Sequence, residues 1–161
     1  MKIIYTDTMI INGERIKGEQ KSNYLPFSHV SSRAIIIRRS DGAFLGALHR
    51  ADGNYALPGG ALDDGERAEE ALIRELEEEG IELIGSDGRW EERLGVDYFS
   101  GYNELCLWYL FLVDRVELSE DDELLDIRWI SQNENPWYPG THEKILLSLR
   151  QYLPELIQEN S

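Results

Sequence analysis

The sequence predicts an α/β (α+β) fold, a mixed sheet held between helical layers, and three observations predict it. A single strongly periodic helix, Glu66 to Glu79, sits in the middle of the chain with extended aliphatic runs on both sides. One of those runs, Leu105 to Val113, is continuously apolar and rich in aromatics, the pattern of a central strand buried on both faces. A second helical stripe, Ile145, Leu146, Leu149 and Leu153, closes the chain. A length of 161 residues suits one domain, so residues 1–161 are expected to form a single unit with residues 1–24 as an N-terminal β-hairpin extension.

Taken in order, residues 2–18 carry the hairpin. Ile3, Tyr5 and Met9-Ile10-Ile11 lead to Asn12-Gly13, a two-residue turn signal, and Arg15-Ile16-Lys17 return from it. The hairpin is placed to pack on its own domain, to cover a sheet edge or to meet a second subunit in a homodimer. A polar connector with Pro26 follows over residues 19–28. Ala34 to Ile37 and Phe44 to His49 read as two strands joined through Ser40-Asp41-Gly42. His49, Arg50 and Tyr55 fall at or beyond the end of the second strand, and Pro58-Gly59-Gly60 reads as a glycine turn.

Within the mid-chain helix Ala68, Ala71, Leu72 and Leu76 form the buried stripe. Beyond it, Ile81 to Ile84 is a short strand, Ser86-Asp87-Gly88 a turn, and Trp90 to Phe99 another strand. Glu104 opens the central strand, in which Cys106 is a small core residue because no basic partner adjoins it. Asp114 to Asp126 reads as an acidic loop leading into the strand Ile127 to Ile130. Trp137 and Tyr138, between Pro136 and Pro139, form an aromatic wall for a base or close the core. Thr141 is the expected N-cap of a final helix that runs to Leu153 and stops at Pro154.

The mid-chain helix carries the chemistry. Glu75, Glu78 and Glu79 stand at i, i+3 and i+4, offsets that a helix places side by side on one face. Three clustered carboxylates repel one another, and a divalent cation turns that repulsion into coordination by hard oxygen ligands, which makes Mg²⁺ or Mn²⁺ the natural partner. Arg74 lies one turn before Glu78 on that face and pairs with it. Gly59 and Gly60, without Cβ atoms, let the backbone approach a ligand and offer a bare carbonyl. Arg50 either meets a substrate phosphate in two-point fashion or pairs with Asp52 or Asp63, and His49 reads as structural.

Gly60, five residues, Glu66, seven residues, then Arg74-Glu75-Leu76-Glu77-Glu78-Glu79 resembles the Nudix box of the MutT-like hydrolases, G-x5-E-x7-R-E-U-x-E-E-x-G-U with U aliphatic. Every fixed position through Glu79 is met, and the one departure is that Gly80 follows Glu79 with no spacer. Anchoring on Arg74-Glu75 keeps the carboxylate face whole and moves the deletion to the helix exit, where Gly80 takes a left-handed conformation. The resemblance implies an α/β/α sandwich and a cation held by the Gly60 carbonyl, Glu75, Glu78 and Glu79, with Arg74, Glu66 and Gly59 in support. It also implies water attack on phosphorus in a nucleoside diphosphate linked to another moiety: a nucleoside triphosphate, a dinucleoside polyphosphate or a nucleotide sugar. MutT-like enzymes often supply a further glutamate from the loop before the tryptophan-bearing strand. Glu123 occupies a similar place, with Glu104 and Asp122 as competitors. Whether the base is Glu78, Glu75 or Glu123 stays open. Tyr98 lies near the position of a tyrosine in relatives that cleave diadenosine polyphosphates, and Trp137 is the second expected substrate contact. The proline marking ADP-ribose hydrolases is missing, since no proline stands between Gly80 and Pro136. The alternative is a nucleotide-sensing or scaffold domain with this fold and no hydrolysis.

Composition sets the bounds on partners. With 16 basic against 31 acidic residues the net charge is -15, a surface that repels nucleic-acid backbones and anionic membranes. A small-molecule nucleotide is therefore the expected partner, received locally by metal and a few basic side chains. The lone Cys106 excludes an internal disulfide, and no apolar run reaches the ~18 residues of a membrane span, so a cytoplasmic location is expected.

Overall fold

The structure is a computed structural model and describes residues 10–11, 14–15, 29–51, 53–86, 93–99, 104–120, 124–139 and 141–159. In chain order these form β1 (Ile10–Ile11), β2 (Glu14–Arg15), β3 (His29–Arg38), β4 (Phe44–Leu48), β5 (Gly59–Ala61), α1 (Ala68–Glu78), β6 (Ile81–Ile84), β7 (Arg93–Phe99), β8 (Glu104–Val113), β9 (Arg115–Leu118), β10 (Asp126–Ile130), α2 (Thr141–Arg150) and α3 (Leu153–Glu159). Among the described residues no helix is long and apolar enough to cross a membrane.

The central sheet runs β10-β4-β3-β8-β7, with β5 added against β3. Among the described strands of this sheet only β3 and β8 are parallel, from His29 opposite Glu104 to Arg38 opposite Val113, so the sheet is mixed as expected. Its two middle strands are apolar on both faces, and residue parity divides the core. Ala34, Ile36, Tyr109, Phe111 and Val113 pack with Leu72 and Leu76 of α1. Ile35, Ile37, Trp108, Leu110 and Leu112 pack with Ile145, Leu146 and Leu149 of α2 and with Leu153 and Leu156 of α3. One helix on one face and two on the other make the α/β/α sandwich.

Away from this sheet, β1 and β2 pair antiparallel with Ile10 opposite Arg15 and Ile11 opposite Glu14. The remainder of the expected hairpin, the connector over residues 19–28 and the turn at Ser86-Asp87-Gly88 lie in whole or in part outside the described residues.

Three expectations are corrected. Gly59 and Gly60 do not merely turn; they form β5, antiparallel to β3, with Gly59 opposite Arg33 and Gly60 opposite Ser32. The approach is closer than a side chain permits, because Gly59 has φ 135° and a Cβ there would stand 2.1 Å from the Ser32 carbonyl oxygen. The acidic segment from Asp114 to Asp126 is not a single loop, since its first part is β9, paired antiparallel with β6 from Ile81–Leu118 to Ile84–Arg115. Val116 turns toward the α1-side core while Arg115 and Glu117 alternate outward, a period-two pattern submerged in charge. The final helix breaks at Arg150. Pro154 does not stop it but occupies the first turn of α3, where a missing N–H leaves no hydrogen bond unmade.

Candidate active site

The site is built where α1 meets β5. Ala71, Leu72 and Leu76 are buried and seat the helix on the sheet, and Glu75, four residues after Ala71, and Glu79, three after Leu76, border that buried stripe. The Ser32 hydroxyl, from β3 beneath, donates to the Ala68 carbonyl oxygen at 2.8 Å and ties the first turn of the helix to the strand that β5 lies on. At the far end Gly80 has φ 70° and its carbonyl accepts from Ser119 N at 2.9 Å, so the left-handed exit expected from the missing spacer is present.

Arg74 organises the loop between β5 and α1. Its Nε and Nη2 donate to the two Glu66 oxygens at 2.8 and 2.9 Å, and Nη2 also reaches the Ala61 carbonyl at 3.0 Å. The two-point contact, reinforced by the Asp63 N–H donating to Glu66, pulls the Glu66 carboxyl down to about 2 and holds Arg74 above its ordinary value. Arg74 Nη1 donates to Glu75 Oε1 at 3.0 Å and lies 3.3 Å from Glu78 Oε2. Glu66 thus props the loop and helix start through Arg74, and the expected pairing of Arg74 with Glu78 is present.

Gly60 is where strand and helix touch. A Cβ on it would stand 2.4 Å from Glu75 Cδ and Oε1, so only glycine lets that carboxylate lie against the strand. Burial raises the Glu75 pKa, opposed by Arg74 and Arg33 and assisted by the charge of Glu78. Glu79 turns inward, its side chain 4% exposed, with His49 Nε2 3.6 Å from Oε1. The three carboxylates therefore share a helix flank without sharing a point. Among the described residues no group of three His, Cys, Asp or Glu side chains converges as a metal site. Helical spacing fixes where the Cβ atoms stand, but Arg74 takes two of these carboxylates and the protein interior takes the third. The donor types still suit a hard divalent cation, and the cradle at Gly60 is one that a single methyl group would fill.

The other expected residues scatter. Arg50 is exposed, just past β4. Tyr55 is half-buried, hydrogen-bonded to Asp126 and stacked under Arg128 at 4.8 Å. Trp137 is 4% exposed and meets Phe44 edge-on at 6.4 Å, so of the two readings, aromatic wall or core closure, it takes the place of core closure. Neighbouring Tyr138 remains exposed. The backbones of Tyr98 and Glu104 lie in β7 and β8, while their side chains, with Asp52, Asp122 and Glu123, lie outside the described residues.

Two residues that sequence reasoning passed over sit behind the glycine strand. Arg33 on β3 donates from Nη1 to the Leu57 carbonyl at 3.0 Å, and His142 on α2 accepts at Nδ1 from Leu57 N at 3.0 Å. Burial, with a smaller push from Arg33, lowers the His142 pKa to about 3, so the ring is neutral and its Nδ1 free of a proton. Because the unfolded chain binds that proton near pH 6.5 and the folded one only near 3, the His142 contribution to stability levels off above pH 6.5. It falls by up to ~1.4 kcal/mol per pH unit as the pH drops below 6.5. The Glu66 contribution is lost only from about pH 4.5 down toward 2. Denaturant melts at pH 7, 6 and 5 are expected to show the decline in wild type and a flatter profile in His142→Asn.

Comparison with known proteins places this arrangement. The NUDIX domain family model matches residues 28–151. The nucleoside triphosphatase NudI of Salmonella paratyphi B is 37% identical over 95 residues, 53% of this chain and 67% of that protein. The crystal structure of a MutT NUDIX hydrolase from Burkholderia pseudomallei superposes with a TM-score of 0.53 at 29% identity, covering 74% of this chain and 95% of that one. The solution structure of the E. coli ORF135 protein shares the fold, with a TM-score of 0.57 at 24% identity over 77% of this chain and 89% of its own. With the family model spanning the sheet, the glycine strand and the carboxylate helix, the chain belongs to the NUDIX domain family of hydrolases.

Proposed function

We propose that the chain is a divalent-cation-dependent pyrophosphohydrolase that cleaves a nucleoside diphosphate linked to another moiety, with nucleoside triphosphates the first substrates to test. The observation that carries the proposal is the Glu75 carboxylate seated against Gly60, with Arg74 holding Glu66, Glu75 and Glu78 around it. Supporting it are the family match and the Salmonella relative named a nucleoside triphosphatase.

In this reading the Gly60 carbonyl with Glu75, Glu78 and Glu79 would hold Mg²⁺ or Mn²⁺. When bound, such a cation neutralises phosphate charge and lowers the pKa of a water molecule. The chain's own residues do the rest. Arg74, braced by Glu66, limits the rotamers open to Glu75 and Glu78. A carboxylate oxygen of Glu78, Glu75 or Glu123 accepts the proton of the attacking water. Gly59 lets β5 lie close enough to β3 to fix Gly60. Arg50 meets phosphate and Tyr98 the rest of the substrate.

The domain in this proposal is the whole of residues 1–161, with residues 1–24 as an added hairpin ahead of the matched region. The partners are a small nucleotide and, through that hairpin, a second copy of the chain. No nucleic-acid polymer or membrane is engaged, in keeping with the charge of -15, and the buried Cys106 suits a reducing cytoplasm.

Incubation with nucleoside triphosphates, dinucleoside polyphosphates and nucleotide sugars, each with Mg²⁺ or Mn²⁺, tests the reading. Release of a nucleoside monophosphate that stops on adding a chelator is expected. Tight nucleotide binding with no product from any of them would instead support a nucleotide-sensing domain without hydrolysis.

A further inference from the structure

At Leu57 the chain leaves one strand partner for another. Ala56 exchanges backbone hydrogen bonds with Ala47 of β4 at 2.8 and 2.9 Å, and Ala34 N of β3 donates to the Pro58 carbonyl at 2.7 Å. Between these two attachments Leu57 is fully buried, so water cannot satisfy its backbone amide and carbonyl. Side chains do so instead, from different elements. His142 Nδ1, on α2, accepts from the Leu57 amide at 3.0 Å, and Arg33 Nη1, on β3, donates to the Leu57 carbonyl at 3.0 Å. The His142 ring is held in place by Trp108, edge-on at 5.4 Å between centroids, and by Tyr138 at 6.2 Å. Three residues beyond Leu57, Gly60 rests against the Glu75 carboxylate.

We propose that His142 and Arg33 are positioning residues, a two-sided clamp on Leu57 that sets how the glycine strand meets Glu75 from the far side of the sheet. The inference rests on the reading of Gly60 and Glu75 as parts of a cation site. Pro58 offers no N–H and Gly59 no side chain, so Pro58 holds the segment through its carbonyl and Gly59 through backbone pairing with Arg33. The Leu57 amide is the last backbone donor before Pro58, and α2 supplies its acceptor. A buried amide that loses its acceptor is costly enough to release the segment locally without unfolding the sheet.

Three substitutions, His142→Asn, His142→Phe and Arg33→Met, separate positioning from bulk packing. Asn at 142 keeps an acceptor near the place of Nδ1, whereas Phe keeps the ring and loses the acceptor. Arg33→Met makes the complementary change at the carbonyl. Three quantities are read on the full chain: hydrogen exchange of the peptide spanning residues 57–61, the Kd for Mn²⁺ alone, and kcat against KM for a nucleoside triphosphate with Mg²⁺. In His142→Phe and Arg33→Met we expect exchange at least ~10-fold faster, Mn²⁺ bound ~10-fold more weakly and kcat down ~10-fold with KM within ~3-fold, a tenfold change corresponding to ~1.4 kcal/mol. His142→Asn is expected to stay near wild type in all three. Unchanged exchange in His142→Phe overturns the clamp, as does His142→Asn being as impaired as His142→Phe. Faster exchange with wild-type Mn²⁺ binding and kcat overturns its link to the site. If wild type itself neither binds Mn²⁺ nor releases product, the cation-site reading fails, while the exchange comparison still decides whether Leu57 is clamped.

Discussion

Replacing Glu78 by Gln is expected to lower kcat by about three orders of magnitude while leaving stability within about 0.5 kcal/mol of wild type. The two effects separate because of where the side chain lies. Glu78 is 53% exposed and its recorded ion pair is to Arg74 at 3.3 Å, an exposed pair worth little to folding. Gln keeps the shape and the hydrogen-bonding oxygen but loses the charge that a cation ligand or a proton acceptor requires. Stopped or steady-state product assays with a urea melt of the same preparation give both numbers, and near-normal turnover would remove Glu78 from the site.

Gly59→Ala is expected to destabilise the fold by about 3 kcal/mol, a fall in Tm of roughly 6–12 °C for a chain of this size. Two penalties combine there: φ is 135°, and the new Cβ would meet the Ser32 carbonyl oxygen at 2.1 Å and Arg33 Cα at 2.7 Å, both backbone atoms that cannot swing aside. Gly65→Ala is the control. Its φ is 77° but nothing lies within 4 Å of the built Cβ, so only the left-handed penalty of ~1–2 kcal/mol applies. Thermal melts of the pair measure the clash together with the steeper backbone penalty at φ 135°, and equal Tm values would mean that β5 does not approach β3 as closely as described.

The contrast between those glycines bears on how far sequence carries. The spacing of Ala71, Leu72 and Leu76 marked the buried side of α1, and the i, i+3, i+4 offsets placed Glu75, Glu78 and Glu79 together along its border, because helix periodicity is a local property of the chain. The apolar run of β8 likewise announced a strand with cores on both faces. What local pattern does not carry is rotamer and partner. Arg74 draws Glu75 and Glu78 to itself and Glu79 turns inward, so adjacent Cβ atoms did not mean converging oxygens. The strand β9 was hidden because an exposed two-stranded ribbon needs only one inward residue in two, and its outward positions are charged. Arg33 and His142 were invisible for a different reason. Each binds a backbone atom of Leu57, 24 and 85 residues away, and no side-chain motif records a backbone partner.

The central claim is that the flank of α1 facing Gly60 holds a divalent cation. Titrating Mn²⁺ into the protein with a non-hydrolysable nucleoside triphosphate analogue present, followed by water-proton relaxation, tests it directly. Saturable binding by wild type that is lost when Glu75, Glu78 and Glu79 are all replaced by Gln is the predicted result. Binding that survives the triple replacement, or a wild type that takes up no Mn²⁺, would contradict it.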